Sequence, residues 1–180
     1  MGTTRTLLTF DEFERLPDQP GKRELLKGEL IELPPAKLRH NLNAEHIQRR
    51  LEAALEAAHS RGKAIGLGRV HHEMGYKLAA DTYVQPDVSI TQAGQAADEY
   101  YLGAPAIAIE IISPSSTAEE IRVKTNLYFQ FGALEVWRFH PKTRDVTVHL
   151  PGRSYDLGEN DTLTTPLLPG LSLPVREILE

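Results

Sequence analysis

The chain has 180 residues, of which 41% are hydrophobic and 25% charged, a composition that indicates neither a disordered nor a fibrous protein. It contains no cysteine, which excludes disulfides and thiolate metal sites. The net charge of −5 gives no overall attraction to nucleic acid. No apolar run approaches the roughly 20 residues of a membrane span, and the N-terminus lacks a signal-peptide core. We therefore expect a single domain over residues 1–180, in the cytoplasm and without a membrane partner.

The first part of the chain predicts two helices and a hairpin. A capping-box pattern predicts a short helix over residues 9–16. The stretch ELLKGELIEL, residues 24–33, has two β-compatible runs around Lys27-Gly28 and predicts a hairpin. Apolar residues then recur at helical spacing and predict an amphipathic helix over residues 43–59.

The rest of the chain predicts strands interrupted by one long helix. Strands are predicted at residues 69–78, 83–90, 106–112, 134–139, 145–150 and 152–157, with a surface loop or short helix at 91–105. The run SSTAEEIRVKTNLYFQFG, residues 115–132, predicts a helix that ends at its glycine. This order of elements indicates an α/β or α+β fold with a mixed β-sheet flanked by helices.

One carboxylate interrupts the most apolar of these strands, AIAIEII. In an extended strand Glu110 shares a face with Ala106 and Ala108, while the isoleucines at 107, 109 and 111 lie on the other face. The small alanines predict open volume for a ligand beside the glutamate. Burying an unpaired carboxylate costs several kcal/mol, so Glu110 requires a metal, a cation or hydrogen-bond donors.

A second carboxylate lies in the stretch YVQPDVSI. Asp87 shares a polar face with Gln85 and Ser89. Because Pro86 cannot donate a ladder hydrogen bond, it predicts a strand start, an edge or a bulge, where the sheet opens. Two carboxylates meeting at such an opening suit a hard divalent cation, Mg²⁺ or Mn²⁺, with water and phosphate completing the coordination.

A lysine on the following helix adds to the candidate site. Lys124 shares a helix face with Glu120 and Tyr128, at positions i−4 and i+4. It lies among apolar residues, which predicts that its ammonium group points toward the sheet. A lysine in this position can orient a nucleophile and stabilise charge that develops on a phosphate.

These residues resemble a known signature. Pro86-Asp87 followed by Glu110-Ile111-Ile112 resembles the PD-(D/E)xK motif of the restriction-endonuclease-like superfamily, with isoleucine where that motif has lysine. The longer pattern resembles a large bacterial family of restriction-endonuclease-like proteins, catalogued as a domain of unknown function, in which the lysine has moved to the helix. That pattern is EIISPSS followed by Glu120, Lys124, Tyr128, Gly132, Glu135 and Trp137. The resemblance covers about residues 9–141 and leaves 142–180 as C-terminal strands and a tail.

The resemblance implies a restriction-endonuclease-like fold and hydrolysis of DNA phosphodiester bonds by metal-activated water. The roles it implies are metal ligation by Asp87, Glu110 and the Ile111 carbonyl, catalysis by these carboxylates with Lys124 and Glu29, and substrate contact by His40 and Tyr128. Glu29 would act as an outer metal ligand or as a base for the water. The implied cofactor is Mg²⁺ or Mn²⁺, and the implied partner is DNA, in duplex form.

Other interpretations of the same residues remain open at this stage. Glu110 can be a structural carboxylate paired with a lysine or arginine. The chain can be a nucleic-acid-binding or regulatory module that keeps the fold without turnover, or a phosphoesterase that acts on small molecules. The sequence is also compatible with a homodimer, which cleavage of both DNA strands would favour.

Overall fold

The computed structural model describes residues 7–63, 66–114 and 116–179. The helices are α1 Phe10–Glu14, α2 Leu38–Ser60, α3 Ala118–Gln130 and α4 Val175–Ile178. The strands are β1 Lys22–Leu26, β2 Glu29–Leu33, β3 Leu67–His72, β4 Tyr76–Ala79, β5 Thr82–Val84, β6 Val88–Gln92, β7 Tyr101–Leu102, β8 Ile107–Ile111, β9 Glu135–His140, β10 Asp145–Leu150, β11 Arg153–Leu157, β12 Thr162–Leu163 and β13 Leu173–Pro174. Ser115, the start of the predicted helical run, lies outside the described residues.

Two mixed sheets form the framework. The six-stranded sheet has the order β11-β10-β9-β8-β6-β3, with β8 and β9 parallel and the other neighbours antiparallel. The five-stranded sheet has the order β2-β1-β5-β4-β7, and β12 pairs with β13. The predicted mixed sheet flanked by helices is therefore confirmed, although the strands divide between two larger sheets. No helix of the described residues is long and apolar enough to cross a membrane.

The N-terminal elements follow from local sequence chemistry. The Thr9 hydroxyl accepts a hydrogen bond from the Glu12 amide, and the Glu12 carboxylate accepts one from the Thr9 amide, which confirms the predicted capping box. Lys27 and Gly28 both have positive φ, 53° and 83°, as a two-residue hairpin turn requires. Helix α2 begins at Leu38, five residues before its predicted start. The prediction missed this first turn because the turn is largely exposed and shows no apolar periodicity.

The core covers both faces of the six-stranded sheet. The isoleucines of β8 at 107, 109 and 111 pack in one cluster with the apolar face of α2, and each fully buried isoleucine contributes roughly 1.5–3 kcal/mol. On the opposite face Ala108 lies in a second cluster with Leu127 and Tyr128 of α3. Ala106 and Ala108 are both 0% exposed, so the open volume predicted beside them is wrong. Small residues here instead permit close packing.

Pro86 lies where the chain passes from one sheet to the other. Strand β5 belongs to the five-stranded sheet and ends at Val84, whereas β6 belongs to the six-stranded sheet and begins at Val88. The predicted opening at Pro86 is confirmed, because Pro86 lies between the two strands. A proline has no amide hydrogen to donate, and at this position no strand pairing requires one. Asp87 consequently follows this break, at the boundary between the two sheets.

Candidate active site

A cavity of about 770 Å³ lies between the β1–β2 hairpin, the start of α2, the ends of β6 and β8, and α3. The charged side chains among its lining residues include Lys22, Glu24, His40, Asp87, Glu110, Lys124 and Arg138. Apolar residues of β2 and the turn after it, such as Leu33 and Pro34, form part of its wall. A cavity that combines apolar walls with convergent charged groups is a typical place for ligand binding and chemistry.

Asp87 is held by donors from three elements. Its Oδ2 accepts a hydrogen bond from the Ile111 amide at 2.7 Å, and its Oδ1 accepts one from Lys22 Nζ at 2.9 Å. His40 Nε2 lies 3.3 Å from the same Oδ1. Burial alone would raise the pKa of Asp87, but the charges of Lys22 and His40 with the amide donor hold that pKa well below its usual range. Asp87 is therefore ionised at neutral pH.

Two side chains of helix α3 contact the carboxylate of Glu110. Its Oε1 accepts a hydrogen bond from the Tyr128 hydroxyl at 2.6 Å and lies 2.7 Å from Lys124 Nζ. Burial raises the pKa of Glu110, while the charge of Lys124 opposes this shift. The charge of Lys124 is thus the main compensation for burying this carboxylate.

A third carboxylate, Glu24 on β1, completes the polar centre. Its Oε1 accepts hydrogen bonds from Lys124 Nζ at 2.9 Å and from the Gln85 amide at 2.8 Å. Glu24 is 1% exposed, and its Oε2 is buried without a hydrogen-bond partner among the described residues. A buried carboxylate oxygen without a partner costs free energy, which points to a ligand, water or cation at that atom.

Two lysines pair with these carboxylates: Lys22 with Asp87, and Lys124 with Glu24 and Glu110. Burial would lower the pKa of Lys124, but the charges of Glu110 and Glu24 raise it. The pKa of Lys22 is raised in the same way, by the charges of Asp87, Glu24 and Glu110 against the effect of burial. Both ammonium groups are therefore charged, and they offset part of the negative charge of Asp87, Glu110 and Glu24.

The donor set fits a hard divalent cation. Carboxylate oxygens are the ligands that Mg²⁺ and Mn²⁺ prefer, and Glu24 offers a buried oxygen to which no described residue donates a hydrogen bond. The described residues contain no group of three or more histidine, aspartate or glutamate side chains that could hold a metal ion. A cation would therefore use one or two carboxylates, with backbone oxygen, water or substrate as its remaining ligands, which is the usual manner of Mg²⁺ binding.

The structure brings most of the predicted site residues together. Asp87, Glu110, Lys124 and His40 all line the cavity, and so does Ile111, whose carbonyl remains a predicted ligand. The described lining includes Glu24 of the hairpin but not Glu29. Tyr128 is 0% exposed and its hydroxyl donates a hydrogen bond to Glu110, while its contact with the substrate stays a prediction.

Sequence reasoning missed Lys22 and Glu24, which lie on β1. A signal was present, because Lys22, Glu24 and Leu26 alternate with Arg23 and Leu25 in a strand and therefore share one face. The alternation cannot show that this face is buried against the other sheet, since that depends on contacts with residues more than 60 positions away.

Comparison with known proteins identifies the family of the chain. Residues 10–176 match the sequence model of the Uma2 family, described as "Putative restriction endonuclease". A crystal structure of a "putative nuclease belonging to DUF820" from Anabaena variabilis superposes with a TM-score of 0.82 and 19% identity over 96% of this chain and 97% of that one, which shows a shared fold. Comparison with curated proteins finds no match. Since the family model spans nearly the whole chain, the resemblance drawn from the sequence is confirmed, and the protein belongs to the Uma2 family of restriction-endonuclease-like proteins.

Proposed function

We propose that the protein is a metal-dependent endonuclease that hydrolyses phosphodiester bonds of DNA. The observation that carries the proposal is the convergence of Asp87, Glu110 and Glu24 with Lys124 in one cavity of a protein from a nuclease-like family. Buried carboxylates with shifted pKa values, lowered for Asp87 and raised for Glu110, are a usual mark of a functional site when they gather in a cavity.

Asp87 and Glu110 would hold Mg²⁺ or Mn²⁺, with the Ile111 carbonyl as a candidate third ligand. When bound, such a cation polarises a phosphoryl oxygen and lowers the pKa of a bound water. Two contacts fix the carboxylates for this role: the Ile111 amide orients Asp87, and the Tyr128 hydroxyl orients Glu110.

Lys124 and Glu24 supply the remaining chemistry. The Lys124 ammonium stabilises negative charge that develops on the phosphate oxygens in the transition state. Glu24 Oε2, which is buried and has no hydrogen-bond partner within the described part of the chain, accepts a proton from the attacking water. Glu24 therefore takes the base role that the family resemblance assigned to Glu29. His40, beside Asp87 at the cavity wall, contacts the substrate phosphate.

Nicking of supercoiled plasmid tests the proposal. Wild-type protein should nick the plasmid with Mg²⁺ or Mn²⁺ and not with EDTA, and Glu110→Gln and Lys124→Ala should each abolish the activity. The matched controls are Glu119→Gln and Lys142→Ala, which change exposed residues of the same types, and both should retain it. Equal activity in all five preparations would indicate a contaminant and refute the proposal.

A nucleic-acid-binding module without turnover is the second candidate function. The observation that favours it is that Asp87, Glu110 and Glu24 each already form an ion pair with a lysine of the same chain. Such a module would bind labelled duplex DNA with a Kd that does not depend on Mg²⁺, and it would leave the plasmid intact.

The proposed function also includes the form of the substrate, the oligomeric state and the location of the protein. We propose duplex DNA as the substrate and a homodimer as the active form, because two sites related by a two-fold axis suit the cutting of both strands. A chain without cysteine suits a reducing compartment, and we propose the cytoplasm.

A further inference from the structure

Lys22 occupies the carboxylate oxygen that a cation on Asp87 would need. Its Nζ lies 2.9 Å from Asp87 Oδ1, and the Lys22 side chain is 13% exposed. The other oxygen, Oδ2, already accepts the Ile111 amide at 2.7 Å. Both oxygens of Asp87 are therefore in use: Oδ2 by a backbone amide that is fixed in its strand, and Oδ1 by the flexible Lys22 side chain, with His40 Nε2 at 3.3 Å from the same oxygen.

Electrostatics make the ammonium and a metal cation competitors. A Mg²⁺ ion bound directly to a carboxylate oxygen lies about 2.0–2.1 Å from it. An ammonium group on the same oxygen would then stand a few ångströms from a double positive charge, in a cavity that screens poorly. The amide of Ile111 is fixed in β8 and His40 makes the longer contact with Oδ1, at 3.3 Å against 2.9 Å for Lys22, so the lysine ammonium is the group that must move.

The displaced ammonium remains in the cavity. Lys22 has a long flexible stem with three donors at its end, and it lines the same cavity as Lys124 and His40. Once a cation has displaced the Lys22 ammonium from Asp87, the ammonium group can form an ion pair with another anion. A phosphodiester oxygen is the anion that the proposed substrate brings.

We propose that Lys22 holds the place of the metal ion on Asp87 and, when the ion binds, turns to the substrate phosphate, so that metal and phosphodiester bind cooperatively. This inference rests on the proposed function, because it takes Asp87 as a metal ligand. The coupling is reciprocal, so each ligand raises the affinity for the other by the same factor.

Calorimetric titration with Mn²⁺ tests the placeholder role of Lys22, which is its occupation of the metal position on Asp87. Lys22→Gln should bind Mn²⁺ about tenfold more tightly than wild type, since a competing charge is gone. Lys37→Gln, which removes a lysine from the exposed rim of the cavity, should change the Kd by less than about twofold. Asp87→Asn should abolish the binding.

The outcomes separate the two proposals. If Asp87→Asn abolishes Mn²⁺ binding but wild type and Lys22→Gln bind equally, the placeholder role is wrong and the metal site stands. If wild type binds no Mn²⁺, or if Asp87→Asn binds it as well as wild type does, the metal site of the proposed function is wrong and the placeholder role fails with it.

Binding of a four-nucleotide dT oligomer tests the second half of the inference. With Ca²⁺, Lys22→Gln should bind the oligomer about fivefold more weakly than wild type, because it lacks a charge-assisted hydrogen bond to phosphate. Without Ca²⁺ the two proteins should bind it alike. Equal affinities in the presence of Ca²⁺ would overturn the transfer of Lys22 to the phosphate.

A measurement on the wild-type protein needs no substitution. In protein labelled with ¹⁵N-lysine, the ammonium signal of Lys22 should shift or broaden at saturating Ca²⁺, while the signal of exposed Lys37 stays unchanged. A Lys22 signal that is the same with and without Ca²⁺ would show that the ammonium stays on Asp87, and the inference would be wrong even if Lys22→Gln failed to fold.

Discussion

Replacing Lys124 by methionine should destabilise the protein strongly, because the ammonium group joins two buried carboxylates. Its Nζ lies 2.7 Å from Glu110 Oε1 and 2.9 Å from Glu24 Oε1, and the Lys124 side chain is 11% exposed. Removing one partner of a buried ion pair leaves an uncompensated charge and costs about 3–5 kcal/mol. We therefore expect Lys124→Met to lower the free energy of unfolding by about 3–5 kcal/mol at neutral pH.

Urea denaturation followed by the fluorescence of buried Trp137 measures this loss. Lys142→Met, on the exposed surface, is the control and should stay within about 0.5 kcal/mol of wild type. Adding Glu24→Gln to Lys124→Met should restore stability, with a coupling energy of about 0.5–3 kcal/mol. A loss below about 1 kcal/mol, or strict additivity in the double variant, would refute the reasoning.

Three further substitutions test other contacts of the site. Tyr128→Phe removes the hydroxyl that donates to Glu110, and urea denaturation should show a loss of about 1.5–3 kcal/mol; an unchanged midpoint would contradict this role. The pKa of His40 in the folded protein is raised above 6.5, mainly by its hydrogen bond to Asp87. The contribution of His40 to stability is therefore complete below pH 6.5 and is lost as the pH rises through the folded-state pKa. The stability gap between wild type and His40→Gln should therefore shrink from about pH 6 to about pH 9, and a gap that widens would be inconsistent. Gly21 has a φ of 101°, and a Cβ added there would lie 2.2 Å from a carbonyl oxygen of β2. Gly21→Ala should therefore lower the free energy of unfolding by about 1–3 kcal/mol in the same assay. A Gly21→Ala variant as stable as wild type would argue against the hairpin geometry.

The sequence predicted the elements whose chemistry is local or periodic. The capping box at Thr9, the Lys27-Gly28 turn and the strand around Glu110 all appear in the structure, because each depends on neighbours in the chain. The pairing of Val88 with Ile109 in adjacent strands also places Asp87 beside the end of β8, as the two-carboxylate interpretation expected.

The features that the sequence did not predict depend on contacts between distant segments. Glu24 and Glu29 lie on one hairpin, and choosing between them requires knowing how that hairpin packs on β5 and α3. Ala106 and Ala108 suggested open space, whereas the structure packs Ala108 in a cluster with Tyr128 and Ala106 in the cluster of α2. Strands β12 and β13 have two residues each, too few to show any periodicity.

The location of a bound cation tests the central claim most directly. Crystals grown or soaked with Mn²⁺ should give an anomalous difference peak within coordination distance of carboxylate oxygens of both Asp87 and Glu110, with the Lys22 ammonium moved away from Asp87. A peak elsewhere, or no peak at a Mn²⁺ concentration that supports plasmid nicking, would contradict the account.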